Sequence, residues 1–377
     1  MRLIIWETRK LFFSKRTIIA TLAILILGIS LGLLDGYHFH NQVENVAVYN
    51  EMVKPYEGKI DKKLEGDSTS GYYADPKFKP EERRSLTFKS EYARSIYLAD
   101  LYNNKIEKNP DYKSTVSYLS NLCSTLEKKD TYLYKDASKN LKMISSIGEP
   151  GYYNNVGWQV VYIFLTSRKG ISLMLIAIIL AITPVFSEEN ENNMERIILC
   201  TKRGHGKFVS AKIGASFMFV IVWTTIYYAG NTLVRLIPYK NLRSINIPLN
   251  SIRGYGFTPF NFTVLQGLGI SYITTILSAL ALGAVFCAIS AWQKNSIVSL
   301  ALGLGISFGA LLIKGNKIVD LWPSITISSR NLFSSYGSYN ILNNPVIYPI
   351  VAVVVLMIIL IIGVLFTYKG FYGKIKN

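Results

Sequence analysis

The chain holds only three cysteines and three histidines, and each scarcity removes an architecture. Cys123 stands alone between the first two apolar runs, while Cys200 and Cys287 fall in later segments, so that region has no intrachain disulfide and must hold by packing. His38, His40 and His205 form no H-E-x-x-H pattern, and two histidines two residues apart share a side only in a strand. They read as polar residues at a membrane interface, and no metal site is expected. A phosphate-cradling loop is missing as well, since "RGHGKF" (203–208) lacks the leading glycine and the closing hydroxyl. No serine stands with a His or Asp near a sharp turn, so there is no argument for a nucleophile. The chain is expected not to be an enzyme, to have no catalytic residues and to bind no cofactor itself.

Acidic residues are scarce too, 24 Asp and Glu against 41 Lys and Arg. The imbalance is local. Residues 38–168 contain 19 basic and 17 acidic residues, which leaves 22 basic and 7 acidic for the rest. The surplus therefore flanks the apolar runs, where positive residues hold a segment to the cytoplasmic leaflet, and nucleic acid is disfavoured as a partner.

What the chain has in abundance is long apolar runs, in a composition that is 50% hydrophobic. A helix needs about 20 mostly apolar residues to cross a bilayer. Six segments qualify, at about Ile18–Leu34, Ile171–Phe186, Phe208–Leu233, Phe262–Trp292, Ile297–Ile313 and Val346–Thr367. The second and fifth are short, with soft boundaries. An even number of crossings puts both ends of the chain on one side. With the N-terminus inside, the inner segments carry fourteen basic residues and the two short outer loops seven, so both termini are expected to be cytoplasmic. The first run is longer than a signal-peptide core and no A-x-A site follows it, which favours an uncleaved anchor. The central portions of the six segments hold no Asp, Glu, Lys, Arg or His, and Asp35 and Arg235 sit at ends. Ion-coupled transport is therefore not expected on this pattern, because such carriers need ionisable groups at membrane depth.

The expected fold is an all-α membrane protein of six transmembrane helices with a helical extracellular domain inserted after the first. Its parts are a cytoplasmic interfacial helix over 1–16, a first transmembrane helix over 17–37, the extracellular helical domain over 38–168 and a five-helix transmembrane region over 169–377. Within 38–168, Leu119, Leu122, Cys123, Leu126, Leu133, Ala137, Leu141 and Ile144 recur at helical spacing. Further helices are read after "DPKFKPEERRS", with Tyr92, Ile96 and Ala99 on one face, and between Val43 and Leu64.

Three other features carry functional readings. The stretch "FSEENENNMERIILCTKRGHGKF" (186–208) places Glu188, Glu189, Glu191, Glu195 and Arg196 ahead of Lys202 and Arg203. Ser187 suits a helix N-cap and Gly204 a stop, so the helix dipole is matched at both ends. The reading is a short cytoplasmic helix over 187–204. Either it is a docking surface or it merely reverses the chain, and its length favours docking. In "MRLIIWETRKLFFSKR", Trp6 with Leu3, Ile4, Leu11 and Phe12 forms an apolar arc beside Arg9 and Lys10. This is an interfacial helix or a simple basic flank. Gly28 and Gly32, and Gly305 and Gly309, are four apart, a spacing that lets helices approach closely.

Six spans, an interfacial helix and a second span that runs into "FSEENENNMERIILCTKRGHGKFVSAKI" resemble the permease subunits of ABC transporters of the second export type. Phe186, Glu188 or Glu189, and Lys212 match that family's Phe-Ser/Ala-x-Glu and its Lys near the start of the third span. The family's Gly after the acidic group is replaced around Asn193 and Met194, and its Thr-Pro-x-x-Arg is represented only by "CTKRGHGKF". The resemblance implies a multi-pass protein of the bacterial plasma membrane. It also implies a separate ABC ATPase that holds ATP and Mg and grips the helix from Glu188 to Lys202, and a second permease chain, identical or a sister subunit, beside membrane lipids. The large segment after the first span is similar to the subset that exports sodium or peptide antibiotics, so the implied cargo is an antimicrobial peptide or lipid-like compound. A sodium-export permease, or a non-transporting sensor or mechanotransmitter with a ligand-binding ectodomain, are the alternatives.

Overall fold

The computed structural model describes residues 2–42, 57, 112–126, 131–151, 153, 155–194, 206–239, 243–252, 254–313 and 315–373. Thirteen α-helices and one hairpin are named here: α1 (Arg2–Phe12), α2 (Lys15–Gln42), α3 (Tyr112–Leu126), α4 (Tyr132–Ile147), α5 (Val156–Thr166), α6 (Arg168–Ile182), α7 (Pro184–Glu191), α8 (Gly206–Leu236), α9 (Val264–Trp292), α10 (Ser296–Gly309), α11 (Pro323–Thr326), α12 (Arg330–Phe333), β1 (Ser338–Ile341), β2 (Asn344–Ile347) and α13 (Tyr348–Gly373).

Among the described residues, five stretches are long and apolar enough to cross a membrane: Lys15–Tyr37, Arg168–Glu191, Gly206–Tyr239, Val264–Trp292 and Tyr348–Phe371. The protein is thus a mostly helical chain with the makings of a multi-pass membrane protein. The helix ends follow local chemistry. Ser14 Oγ accepts from Thr17 N to start α2 after the turn that closes α1. A capping box of Thr263 and Gln266 opens α9, and Asn295 Oδ1 accepts from Ile297 N and Val298 N to open α10.

Several expectations change. The fifth expected span, Ile297–Ile313, is instead a shorter apolar helix over Ser296–Leu312, so five long helices stand where six were read. It tightens to a 3₁₀ turn at Ala310–Leu312, and Ile313 is extended. At 1.5 Å per residue such a helix falls short of the roughly 30 Å hydrocarbon layer. The chain still changes ends there. Ser296 bonds Glu191 at the end of the second span, whereas α13 starts against Asp320 and brings Phe371 back to Phe186 and Phe208.

Residues 156–166, read as the end of an external domain, form α5, whose Val161, Tyr162 and Leu165 are fully buried among the long helices. The all-α reading gives way to a mostly helical one, because β1 and β2 pair antiparallel around a Leu342-Asn343 turn with both residues at positive φ. The apolar stripe from Val116 to Ile144 appears as two helices, α3 and α4, packed on each other. α4 fastens to the hairpin: Asp136 accepts from Tyr336 Oη at 2.8 Å and Ser338 Oγ, and Lys139 Nζ donates to the Pro345 carbonyl at 2.9 Å. The helices read over Val43–Leu64 and around Tyr92 lie outside the described residues, as does most of the domain expected after the first span.

Helices α9 and α13 pack closely, and a Cβ at Gly363 would sit 2.9 Å from the backbone of Ala284. Glycine also sets the first span against α8. A Cβ at Gly28 or Gly32 would lie 2.9 Å from Asn231 or Val234, and one at Gly36 2.6 Å from Pro238. The Gly28/Gly32 pair therefore packs within the chain, whereas a Cβ at Gly305 or Gly309 would meet nothing within 4 Å.

Candidate functional site

The site lies where α1, the end of α7 and the start of α8 converge. Lys212 projects from the second turn of α8 and is 2% exposed. A buried ammonium needs compensation from every side. Here Nζ donates to Glu7 Oε2 at 3.1 Å and to the Val185 carbonyl at 3.1 Å, and pairs with Glu189 Oε1 at 2.8 Å. The rings of Phe208 and Phe186 cover it at 5.0 and 5.7 Å. Glu189 Oε1 also accepts from Lys10 Nζ at 3.1 Å, and Lys10 lies 5.6 Å from the Trp6 ring. Burial alone would lower the Lys10 ammonium; Glu189, then Glu7 and Glu188, more than offset this and hold its pKa above the ordinary lysine value. A half-exposed pair, Arg16 with Glu188 at 2.6 Å, closes the rim. A small cleft of about 60 Å³ opens beside the network, lined by Glu7, Lys10, Arg16, Glu188 and Lys212.

Sequence logic explains why these groups meet. In α1, Glu7 and Leu11 are one turn apart and are the buried residues, while Leu3, Ile4, Ile5 and Trp6 are exposed. The face turned inward is thus chosen by a carboxylate with a buried partner, and the wider apolar arc is left outside. Arg9 is exposed as well.

α7 differs from the expected 187–204 helix. It continues the second span through Pro184 to Glu191, with Asn192 as its C-cap and Asn193 following at φ 56°. Ser187 is not an N-cap: it is fully buried in the middle of α7, and its hydroxyl donates to the Thr183 carbonyl at 3.1 Å. Glu188, Glu189 and Glu191 consequently end the second span. Residues Glu195, Arg196, Lys202 and Arg203 lie outside the described residues.

α7 is pinned on its other flank. The first turn of a helix leaves N–H groups unserved, and α9 serves them, since Ser290 Oγ accepts from Phe186 N at 2.9 Å and Ser187 N at 3.0 Å. Asn190 Nδ2 donates to the Gln293 carbonyl at 2.8 Å, and Glu191 Oε2 accepts from Ser296 Oγ at 2.6 Å. Ser290→Ala should therefore lower stability by about 1–3 kcal/mol, the range for leaving buried polar groups unsatisfied. Ser307→Ala, whose hydroxyl only donates to the Gly303 carbonyl of its own helix, should stay near wild type. Thermal midpoints of the two purified variants make the comparison.

The arrangement joins three helices electrostatically. Sequence reading found Lys10, Lys212 and the three glutamates but missed Glu7, Arg16, Ser290 and Ser296. Glu7 carried one usable signal, a charge spaced four residues from an apolar residue inside a short amphipathic helix. Among the described residues no group of three His, Cys, Asp or Glu side chains is placed to hold a metal. Compared with protein-family models, with curated proteins and with solved structures, the chain matches none.

Proposed function

We propose that this chain is the permease subunit of an ATP-driven exporter in the bacterial plasma membrane, with the α1 end facing the cytoplasm. A separate ATPase supplies ATP and Mg, and a second permease chain, identical or sister, completes the path for an amphipathic peptide or lipid-like cargo. The observation that carries the reading is the network of buried Glu7, Glu189 and Lys212 with half-exposed Lys10. It ties α1, α7 and α8 together beside the charged stretch 192–205. A partner pulling on that stretch moves three helices as one body, which is the kind of linkage that turns a closing motor into a tilt of spans. The sequence resemblance in the same stretch supports the same assignment.

The test is co-expression of the tagged chain with the ATPase encoded beside it. Co-purification is expected, with a loss of about tenfold or more in recovered ATPase, worth about 1.4 kcal/mol, in the charge-reversed variant Glu195→Lys with Arg196→Glu. Proteoliposomes of the complex should lose a labelled cationic amphipathic peptide only with ATP. Equal ATPase recovery in both forms, or a tag after Asn193 that reacts only from the exterior, would remove the proposal.

A further inference from the structure

Arg235 lies in the last turn of α8 and is 0% exposed, yet its guanidinium is only half used. Nη1 donates to Asn231 Oδ1 at 2.7 Å and to the Gly28 carbonyl at 3.3 Å. One face rests on the Phe164 ring, with Cζ 3.4 Å from the centroid. Nε and Nη2 have no hydrogen-bond partner among the described residues. Together they form one edge of the guanidinium, whose two parallel N–H groups match the two oxygens of a carboxylate or phosphate.

Asp35 stands in front of that edge without filling it. Its Oδ2 is 3.4 Å from Nε, but Nε makes no hydrogen bond in that direction. Asp35 is fixed to α2, which Gly28, Gly32 and Gly36 seat tightly on α8, so its reach is set by the helix crossing. Its side chain is 45% exposed, so the approach to the buried edge runs through the position it occupies. A mobile anion has no such tether and can turn to engage both N–H groups.

We propose that the Nε/Nη2 edge of Arg235 is a receptor for an oxyanion, a carboxylate or phosphate group, which enters past Asp35 and replaces its carboxylate. The ligand is either the headgroup of an anionic lipid or a soluble anion. The assignment does not depend on partnership with an ATPase, and sidedness alone is shared with that reading.

The experiment follows thermal unfolding of the full chain in a neutral detergent at fixed ionic strength. One arm titrates inorganic phosphate against chloride; the other titrates dihexanoyl phosphatidic acid against dihexanoylglycerol. Ligand binding to the folded state raises the midpoint by mass action. Asp35→Asn removes the competitor, so half-saturation should fall about tenfold relative to wild type. Adding Arg235→Lys to Asp35→Asn keeps the charge, removes the paired edge and should abolish the saturable rise. A response to inorganic phosphate assigns a soluble anion, and a response to phosphatidic acid alone assigns a headgroup; both support the site. An equal rise in the lysine variant, or no rise with either probe, overturns it. If the lysine variant does not fold, the wild-type and Asp35→Asn pair decides, because equal half-saturation in those two is incompatible with displacement.

Discussion

Lys212→Met is expected to destabilise the protein by about 3–5 kcal/mol, the range for stranding the partner of a buried ion pair. Methionine fills much the same volume between Phe186 and Phe208, so the loss is electrostatic rather than a cavity. Glu189 retains Lys10, at 3.1 Å. Glu7 retains only the longer-range attraction of Lys10 and no hydrogen-bond donor among the described residues, since Lys212 is the donor to its Oε2 and its other carboxylate oxygen is buried without one. Removing the orphan should therefore restore most of the loss: Glu7→Leu with Lys212→Met leaves a neutral, apolar contact between α1 and α8. Replacement of a buried pair by apolar residues is often neutral or better. Equilibrium unfolding in mixed micelles reads both. If Lys212→Met matches wild type, the network does not hold α1, and the reasoning that makes these helices move together fails.

Gly363→Leu should have the next largest effect. A Cβ there sits 2.9 Å from both the backbone carbon and the Cβ of Ala284, and backbone in a packed helix cannot swing aside. Overpacking of this kind costs about 1–3 kcal/mol and occasionally more, and leucine adds a branched end to a contact with no room for one methyl. Glycine to alanine in a helix gains about 1 kcal/mol of propensity, which sharpens the comparison. Gly363→Ala should still lose stability because the clash exceeds that gain, whereas Gly230→Ala, with nothing within 4 Å, should be neutral or stabilising. Parallel shifts in the two alanine variants would show that α9 and α13 do not cross as closely as described.

Much of the helical scaffold is legible one residue at a time, because lipid-length apolar runs, Thr263 and Asn295 at helix starts and charge at helix ends act locally. Extent is less legible. Ser187 has the chemistry of an N-cap, and nothing beside it in sequence says that the second span would run on through Pro184 to Glu191. What keeps that helix going is Ser290, a hundred residues away, which accepts two of its N–H groups. Likewise Ile297–Ile313 has the hydropathy of a span, and only the folded path shows it stopping short at Leu312. Glu7 shows the same limit from the other direction: the apolar arc of α1 is visible in the sequence, but the lysine 205 positions later that draws Glu7 inward is not.

By itself the sequence determined the class of the protein, a mostly helical chain with several lipid-length segments, a basic surplus beside them and a charged stretch after the second, since hydropathy and charge need no partner to be read. The tertiary structure alone decided which charges became buried pairs, that Gly28 and Gly32 serve contacts inside the chain, and that Arg235 keeps an unused edge. Those outcomes depend on distances between residues far apart in the chain. Burial in low dielectric gives each such distance an energetic weight that no local pattern carries.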